Sequence, residues 1–335
     1  MPEPMPELDE IRALLSHLPG PDLEAGTAAA LRERQLAKRP GELGRLEDLA
    51  AWLATWQARH PPRVEHPRTV VFAANHGVAA RVATADPPSM IGRQVQSFVT
   101  GGGAVNQLCR IIDADLRVYE LDLDTPTGDI VEGEAMSEGE CARAIAYGMM
   151  AVEPGIDALA VGAIGAGGTI AAAALCLALF GGEAGDWIGV GGGTAGAASV
   201  CDAIAAAVAR HREAGIDAFG LLCRLGGLEF AATAGAILAA RMGRVPVVLD
   251  GFSACAGAAV LHAADPRALD HCVAGHVMPG PAHRRLLERL GKPPLLDLGI
   301  SGGEAVGATL ALSLLRAAAA CHDGMATTAD AGATR

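Results

Sequence analysis

The chain has 335 residues, of which 51% are hydrophobic and only 3% aromatic, and it carries a formal net charge of -12. That length and apolar content suit one large α/β domain or two smaller ones and exclude wholesale disorder. The acidic balance argues against nucleic acid or an anionic membrane as the main partner.

The first 65 residues or so are predicted to be helical. "PELDEIRALLSHL" has helical spacing, "RPGEL" interrupts it, and "LGRLEDLAAWLATWQARH" is amphipathic until Pro61 and Pro62 end it. The acidic start lacks the charged and apolar regions of a signal peptide, so the expected location is cytoplasmic. From residue 68 the texture changes to short apolar runs between helical stretches: "RTVVFAA" (68–74), "DLRVYELD" (115–122), "DALAVG" (157–162), "VPVVLDG" (245–251), "HCVAGH" (271–276) and "PLLDLG" (294–299). Helices such as "IGRQVQSFVTGGGAVNQLCRIID" and "EFAATAGAILAARMG" separate them. Apolar runs alternating with helices predict a doubly wound, mostly parallel six-stranded sheet in an α/β fold. The core must be built from small aliphatic residues and many of the 43 glycines, which suits close packing of helices on the sheet.

The longest uncharged stretch, 158–182, holds six glycines and only about 12 residues of helix, short of the ~20 that a membrane span needs. It reads as a buried loop and helix. The final helix, "EAVGATLALSLLRAAAACH", is expected to pack with the N-terminal helices as a small helical domain (1–65 plus 305–335) beside a large domain (66–304). Eight cysteines without a CxxC pattern fit scattered reduced thiols better than a disulfide framework or a zinc site. His271 and His276 lack metal-binding spacing, no HExxH motif occurs, and no metal site is expected.

Each apolar run is followed by small or functional residues, and in open α/β sheets ligands bind beyond the carboxyl ends of the strands. Glu304, in "GISGGEAVG", is placed at the first turn of an apolar helix. It serves either as a general base with a raised pKa or as an ordinary first-turn acid. His76 in "NHG" is a ligand contact or acid/base group, or else bonds a neighbouring loop. Asp250 in "LDGFS" accepts a ribose hydroxyl or shapes a turn before Gly251. "GGGTAG" matches G-x-G-x-x-G through Gly191, Gly193 and Gly196, but it lies mid-chain after a poor strand, so a NAD-dependent oxidoreductase is a weak alternative. The basic residues of "HRRLLERLGK" read as a solvated face.

Several collinear stretches together resemble the nicotinate-nucleotide:dimethylbenzimidazole phosphoribosyltransferase family, which makes the lower ligand of cobalamin. They are "AKRPGELGRLEDLAAWLATWQ", "VVFAANHGVAA", "FVTGGGAVNQLCR", "CRLGGLEFAATAGAILAARMGRVPVVLDGF", "DHCVAGH", "HRRLLERLGKPPLLDLG" and "GEAVGATLAL". The resemblance implies a Rossmann-like sheet domain with a small helical domain, a homodimer, small-molecule substrates and no cofactor. It implies a glycosyltransferase (pentosyl transfer) in which a ring nitrogen of the base attacks the anomeric carbon of nicotinate mononucleotide. Glu304 stands at the position of the family's catalytic base, followed by Ala-Val-Gly instead of Gly-Thr-Gly, with Gly302 and Gly303 before it. Gly165, Gly167 and Thr169 remain from a phosphate-approaching turn that the family reads as Glu-Met-Gly-Ile-Gly-Asn-Thr-Thr. Here Ala163 and Gly168 replace its acid and its Asn. Val190 replaces an Arg, and the lysine that should follow is missing. "MPGPAH" keeps Pro281 and His283 but loses an acid. In the base-pocket segment, Pro87, Met90 and Arg93 are the implied contacts, with Arg93 in place of Gln and Asp86 in place of an aromatic residue. The losses cluster at strand ends, which leaves a second class of function open: a catalytically impaired paralogue that binds a nucleotide or a partner subunit.

Overall fold

A computed structural model describes residues 7–82, 87–189, 197–213 and 215–333. The N-terminal segment forms α1 (Leu8–Leu15), α2 (Leu23–Gln35) and α3 (Arg45–Gln57). Asp22 starts α2 by accepting the Ala25 N–H at 2.8 Å. The sheet region then runs β1 (Pro67–Ala73), α4 (Pro88–Val99), α5 (Ala104–Ile111), β2 (Asp115–Glu120), α6 (Glu138–Met149), β3 (Ala158–Ile164) and α7 (Gly168–Phe180). It continues through α8 (Ala197–His211), α9 (Ala218–Leu225), α10 (Leu228–Met242), β4 (Val247–Leu249), α11 (Gly251–Ala264), β5 (Cys272–His276), α12 (Pro281–Arg289), β6 (Pro294–Leu296) and α13 (Val306–Gly324).

All six apolar runs are strands, and every pairing is parallel in the order β2-β1-β3-β4-β5-β6. β4 and β6 keep only three residues each, fewer than their sequence runs suggest. β1 and β3 are buried along their whole length, as strands covered on both faces must be, whereas edge strand β2 is partly exposed. Side chains alternate between the faces. Val70, Phe72, Leu159 and Val161 join the cluster under α10 and α11. Ala158, Ala160 and Val248 join α3 and α13 on the opposite face, while Val71 and Ala73 meet α4 and α5 there. The chain leaves β1 towards β2 and returns to the other side of β1 for β3. The switch point, where a ligand crevice opens, therefore lies between the carboxyl ends of β1 and β3.

The low aromatic content shows in the packing. α6 rests on α10 with backbones touching: a Cβ on Gly148 would sit 1.9 Å from the Ala232 carbonyl oxygen, and one on Gly235 the same distance from that of Ile145. α3 packs on α13, and both share one apolar cluster with the sheet, whereas α1 docks on α6 across the sheet. The stretch 158–182 consists of buried β3 and the mostly buried α7, and no helix among the described residues is long and apolar enough to cross a membrane. All eight cysteines are free thiols. The basic face of α12 is solvated, with Arg284 paired to Asp297 and Arg285 to Asp186.

Candidate active site

Past the end of β1, Asn75 ties three loops together. Its Oδ1 accepts the Ala166 N–H at 3.1 Å, its Nδ2 donates to the Leu123 carbonyl at 2.8 Å, and its own carbonyl accepts from Thr127. His76 turns inward, with Nε2 2.5 Å from Glu229 Oε1, and both side chains are fully buried. Glu229 stands in the first turn of α10, where the helix dipole favours a carboxylate. The turn that begins α7 roofs this pair. A Cβ on Gly168 would lie 3.3 Å from Glu229 Oε1, and one on Gly227 would fall 2.2 Å from His76 Cε1. Gly165 crosses Ala74 so closely that a Cβ would be 2.0 Å from its carbonyl oxygen. Glycine is therefore required at Gly165 by the approach of the turn to β1, and at Gly227, the N-cap of α10, by its packing against His76. Gly167 adopts the left-handed conformation (φ 79°) as the N-cap of α7, and Thr169 is exposed beside it.

The second half of the site is the turn before α13. Glu304 is half-buried and its Oε1 accepts the Gln94 Nε2–H at 3.1 Å. It precedes the N-cap, Ala305, and so lies just outside the helix rather than in its first turn as the sequence suggests. The physical reason is the left-handed Ala305 (φ 62°), which turns the chain before the helix starts. Asp250 Oδ2 accepts the Ala305 N–H at 3.0 Å and Oδ1 accepts the Ala308 N–H at 2.7 Å, which caps α13 from the end of β4. Gly303 faces the Ala163 carbonyl, with a Cβ position 3.0 Å from that oxygen, so this turn lies against the end of β3 that feeds Gly165.

Behind Asp250 stand buried histidines. His276 Nε2 is 3.4 Å from Asp250 Oδ1. His283 Nδ1 accepts the Met278 N–H at 3.0 Å, so Nε2 carries the proton and faces Cys255 Sγ at 3.4 Å. Burial pushes the His283 pKa down to about 3 and holds the Cys255 thiol well above its ordinary range. The contact is a neutral imidazole beside a neutral thiol, which excludes an activated cysteine nucleophile. His271 is likewise pushed down to about 3, chiefly by burial. A histidine that is neutral when folded but has a pKa of 6.5 when unfolded contributes stability that is full above pH 6.5 and lost as the pH falls. The unfolding free energy should therefore drop between pH 6.5 and 4.5 by on the order of 1 kcal/mol per pH unit for each of the two residues. Urea titrations at pH 7, 6 and 5 measure it, and a flat profile would contradict the neutral, buried state.

The structure brings most of the expected residues to the carboxyl edge of the sheet: His76, Gly165, Gly167, Thr169, Asp250, Gly302, Gly303 and Glu304. Two are placed differently from the readings that ligand contact suggests. His76 is covered by the Gly165–Gly168 turn and engaged with Glu229, and both oxygens of Asp250 are taken by backbone N–H groups. Pro87, the N-cap of α4, and Arg93 on α4 are exposed and Met90 is partly so, while Gln94, beside Arg93, reaches Glu304. Gln94 was findable, because it lies three residues after Ile91 on the face that also carries Val95 and Phe98. Glu229 gave only the signal of a first-turn acid. Asp86, Val190, Gly191, Gly193 and Gly196 lie outside the described residues, and among the described residues the segment between α7 and that glycine run holds no strand, only a short turn of helix at Ala184–Trp187.

Residues 18–333 match a family model described as phosphoribosyltransferase. The chain is 51% identical over 326 residues, 97% of its length and 96% of the relative's, to the nicotinate-nucleotide–dimethylbenzimidazole phosphoribosyltransferase of Brucella anthropi. The enzyme of that name from Sinorhizobium medicae is similar at the same identity and coverage. Among solved structures, the nicotinate-nucleotide–dimethylbenzimidazole phosphoribosyltransferase of Thermus thermophilus superposes with a TM-score of 0.86 at 37% identity, covering 93% of this chain and 99% of that one.

Proposed function

The chain belongs to the family of nicotinate-nucleotide–dimethylbenzimidazole phosphoribosyltransferases, and on that premise we propose that it moves the ribose phosphate of nicotinate mononucleotide onto dimethylbenzimidazole or a related base. The bond from the anomeric carbon to the nicotinate nitrogen breaks as a ring nitrogen of the acceptor bonds to that carbon. Nicotinate leaves with the electron pair. The acceptor's other ring nitrogen gives its proton to Glu304, so no cationic product accumulates. The products are α-ribazole phosphate and nicotinate, and the transfer is complete without a cofactor.

The observation that carries this reading is the half-buried Glu304 at the sheet's carboxyl edge, its Oε1 fixed by Gln94 from α4. The tie from α4 to the Glu304 turn through Gln94 supports the reading in which Met90, Arg93 and the preceding Pro87 wall the base, with Gly302 and Gly303 opposite. Gly165, Gly167 and Thr169 at the start of α7 lie where backbone N–H groups and a hydroxyl can approach the nucleotide phosphate. His76 supports that turn from beneath. The same reading makes the protein a cytoplasmic homodimer engaged in cobalamin biosynthesis.

Purified protein incubated with nicotinate mononucleotide and dimethylbenzimidazole should release nicotinate in step with α-ribazole phosphate, read by chromatography and mass. Absence of release across azole and phenolic acceptors, with nucleotide binding retained, would replace this reading by that of an impaired, nucleotide-binding paralogue.

A further inference from the structure

Asp250 is a fully buried carboxylate with no exposed surface from which to meet a substrate. Its two oxygens bind the N–H groups of Ala305 and Ala308, on the C-terminal side of Glu304. Ala305 is held left-handed, a conformation that a residue with a Cβ adopts at a cost of about 1 kcal/mol unless its surroundings impose it. The surroundings do impose it. The turn is pressed onto β3 at Gly162, where a Cβ would lie 2.5 Å from the Ala305 nitrogen, and it is pulled from the other side by Asp250. His276 backs the carboxylate at 3.4 Å, and its ring fills the space in front of Gly307, where a Cβ would lie 2.2 Å from His276 Cδ2. The start of α13, and with it the direction in which Glu304 leaves the chain, is thus fixed by two hydrogen bonds to one side chain 54 residues earlier in sequence (304 minus 250).

We infer that Asp250 is a positioning residue for the transfer: its carboxylate, backed by His276, sets the turn that aims Glu304 at the acceptor's N–H and does not itself touch the nucleotide. This rests on Glu304 being the base. A displacement of about 1 Å in a catalytic group costs roughly a hundredfold in rate. Asp250→Asn keeps the volume but presents an NH2 group to one of two N–H donors, so it loosens the turn without opening a cavity.

The test is steady-state kinetics on Asp250→Asn, Glu304→Gln and the double variant, with both substrates varied. The expected result is a kcat about a hundredfold lower for Asp250→Asn, KM values for nucleotide and base within about twofold of the parent, and less than about threefold further loss when the change is made on Glu304→Gln. A raised KM for the nucleotide would mean that Asp250 binds substrate and would overturn the inference. An equal loss in both backgrounds would mean a purely structural role and would do the same. If Glu304→Gln alone turns over like the parent, the base reading falls and takes the inference with it, an outcome distinct from the other two. Ala305→Gly provides a second route if Asp250→Asn fails to fold. It keeps both N–H donors to Asp250 and suits the left-handed turn, so kcat should stay within about threefold of the parent. A kcat loss of about tenfold or more in a folded Ala305→Gly would mean that the Ala305 methyl, and not the Asp250 hydrogen bonds, sets the turn, and would overturn the inference.

Discussion

Glu304→Gln should reduce turnover by about 10²–10⁴-fold, the range that a positioned general base supplies, while leaving KM for both substrates within a few-fold. The substitution preserves shape and can still accept the Gln94 hydrogen bond through its carbonyl oxygen, so binding and fold should survive. What it removes is the ability to take a proton as the acceptor nitrogen bonds to carbon. The loss should shrink as the acceptor's own proton becomes more acidic, because such acceptors depend less on the base. A series of substituted benzimidazoles assayed with parent and variant measures this. A residual rate within about threefold of the parent on dimethylbenzimidazole would rule Glu304 out as the base.

The strands were legible because each apolar run is bounded by turn residues, and in β1 and β3 burial on both faces leaves no alternation to confuse the reading. Of the candidate site, only its place at the turns after the strands was legible; the switch point between β1 and β3 depends on the strand order, which the sequence does not state. Its wiring was not legible either. His76 and Glu229 are 153 residues apart, and Asp250 and Ala305 are 55 apart, so nothing local marks either contact. An acid in the first turn of α10 looks the same whether it faces water or a buried imidazole. Asp250 before Gly251 reads as a turn former or a ligand contact, and only the fold reveals that it caps a distant helix. The position of Glu304 differs from expectation for a related reason. Ala305 in a left-handed conformation is a tertiary imposition that propensity cannot anticipate.

Glu229→Ala should destabilise the protein by about 3–5 kcal/mol, from an orphaned buried imidazole nitrogen and the cavity left behind. Three contributions act together. His76 Nε2 loses its only hydrogen-bond partner among the described residues, in a side chain that is fully buried. The missing carboxylate leaves a void beneath Gly165–Gly168, and close-packed interiors do not refill such a void without shifting. The glycine turn also loses the surface against which it is folded, so the variant should lose turnover as well as stability. Glu229→Gln, which keeps the volume and one hydrogen bond, should lose much less stability. Equilibrium urea unfolding of the two variants gives the comparison. If both variants unfold within about 1 kcal/mol of the parent, the dyad is not a support of the switch-point turn. If Glu229→Gln is as stable as the parent but inactive, the carboxyl group of Glu229, and not its packing, is what the site uses.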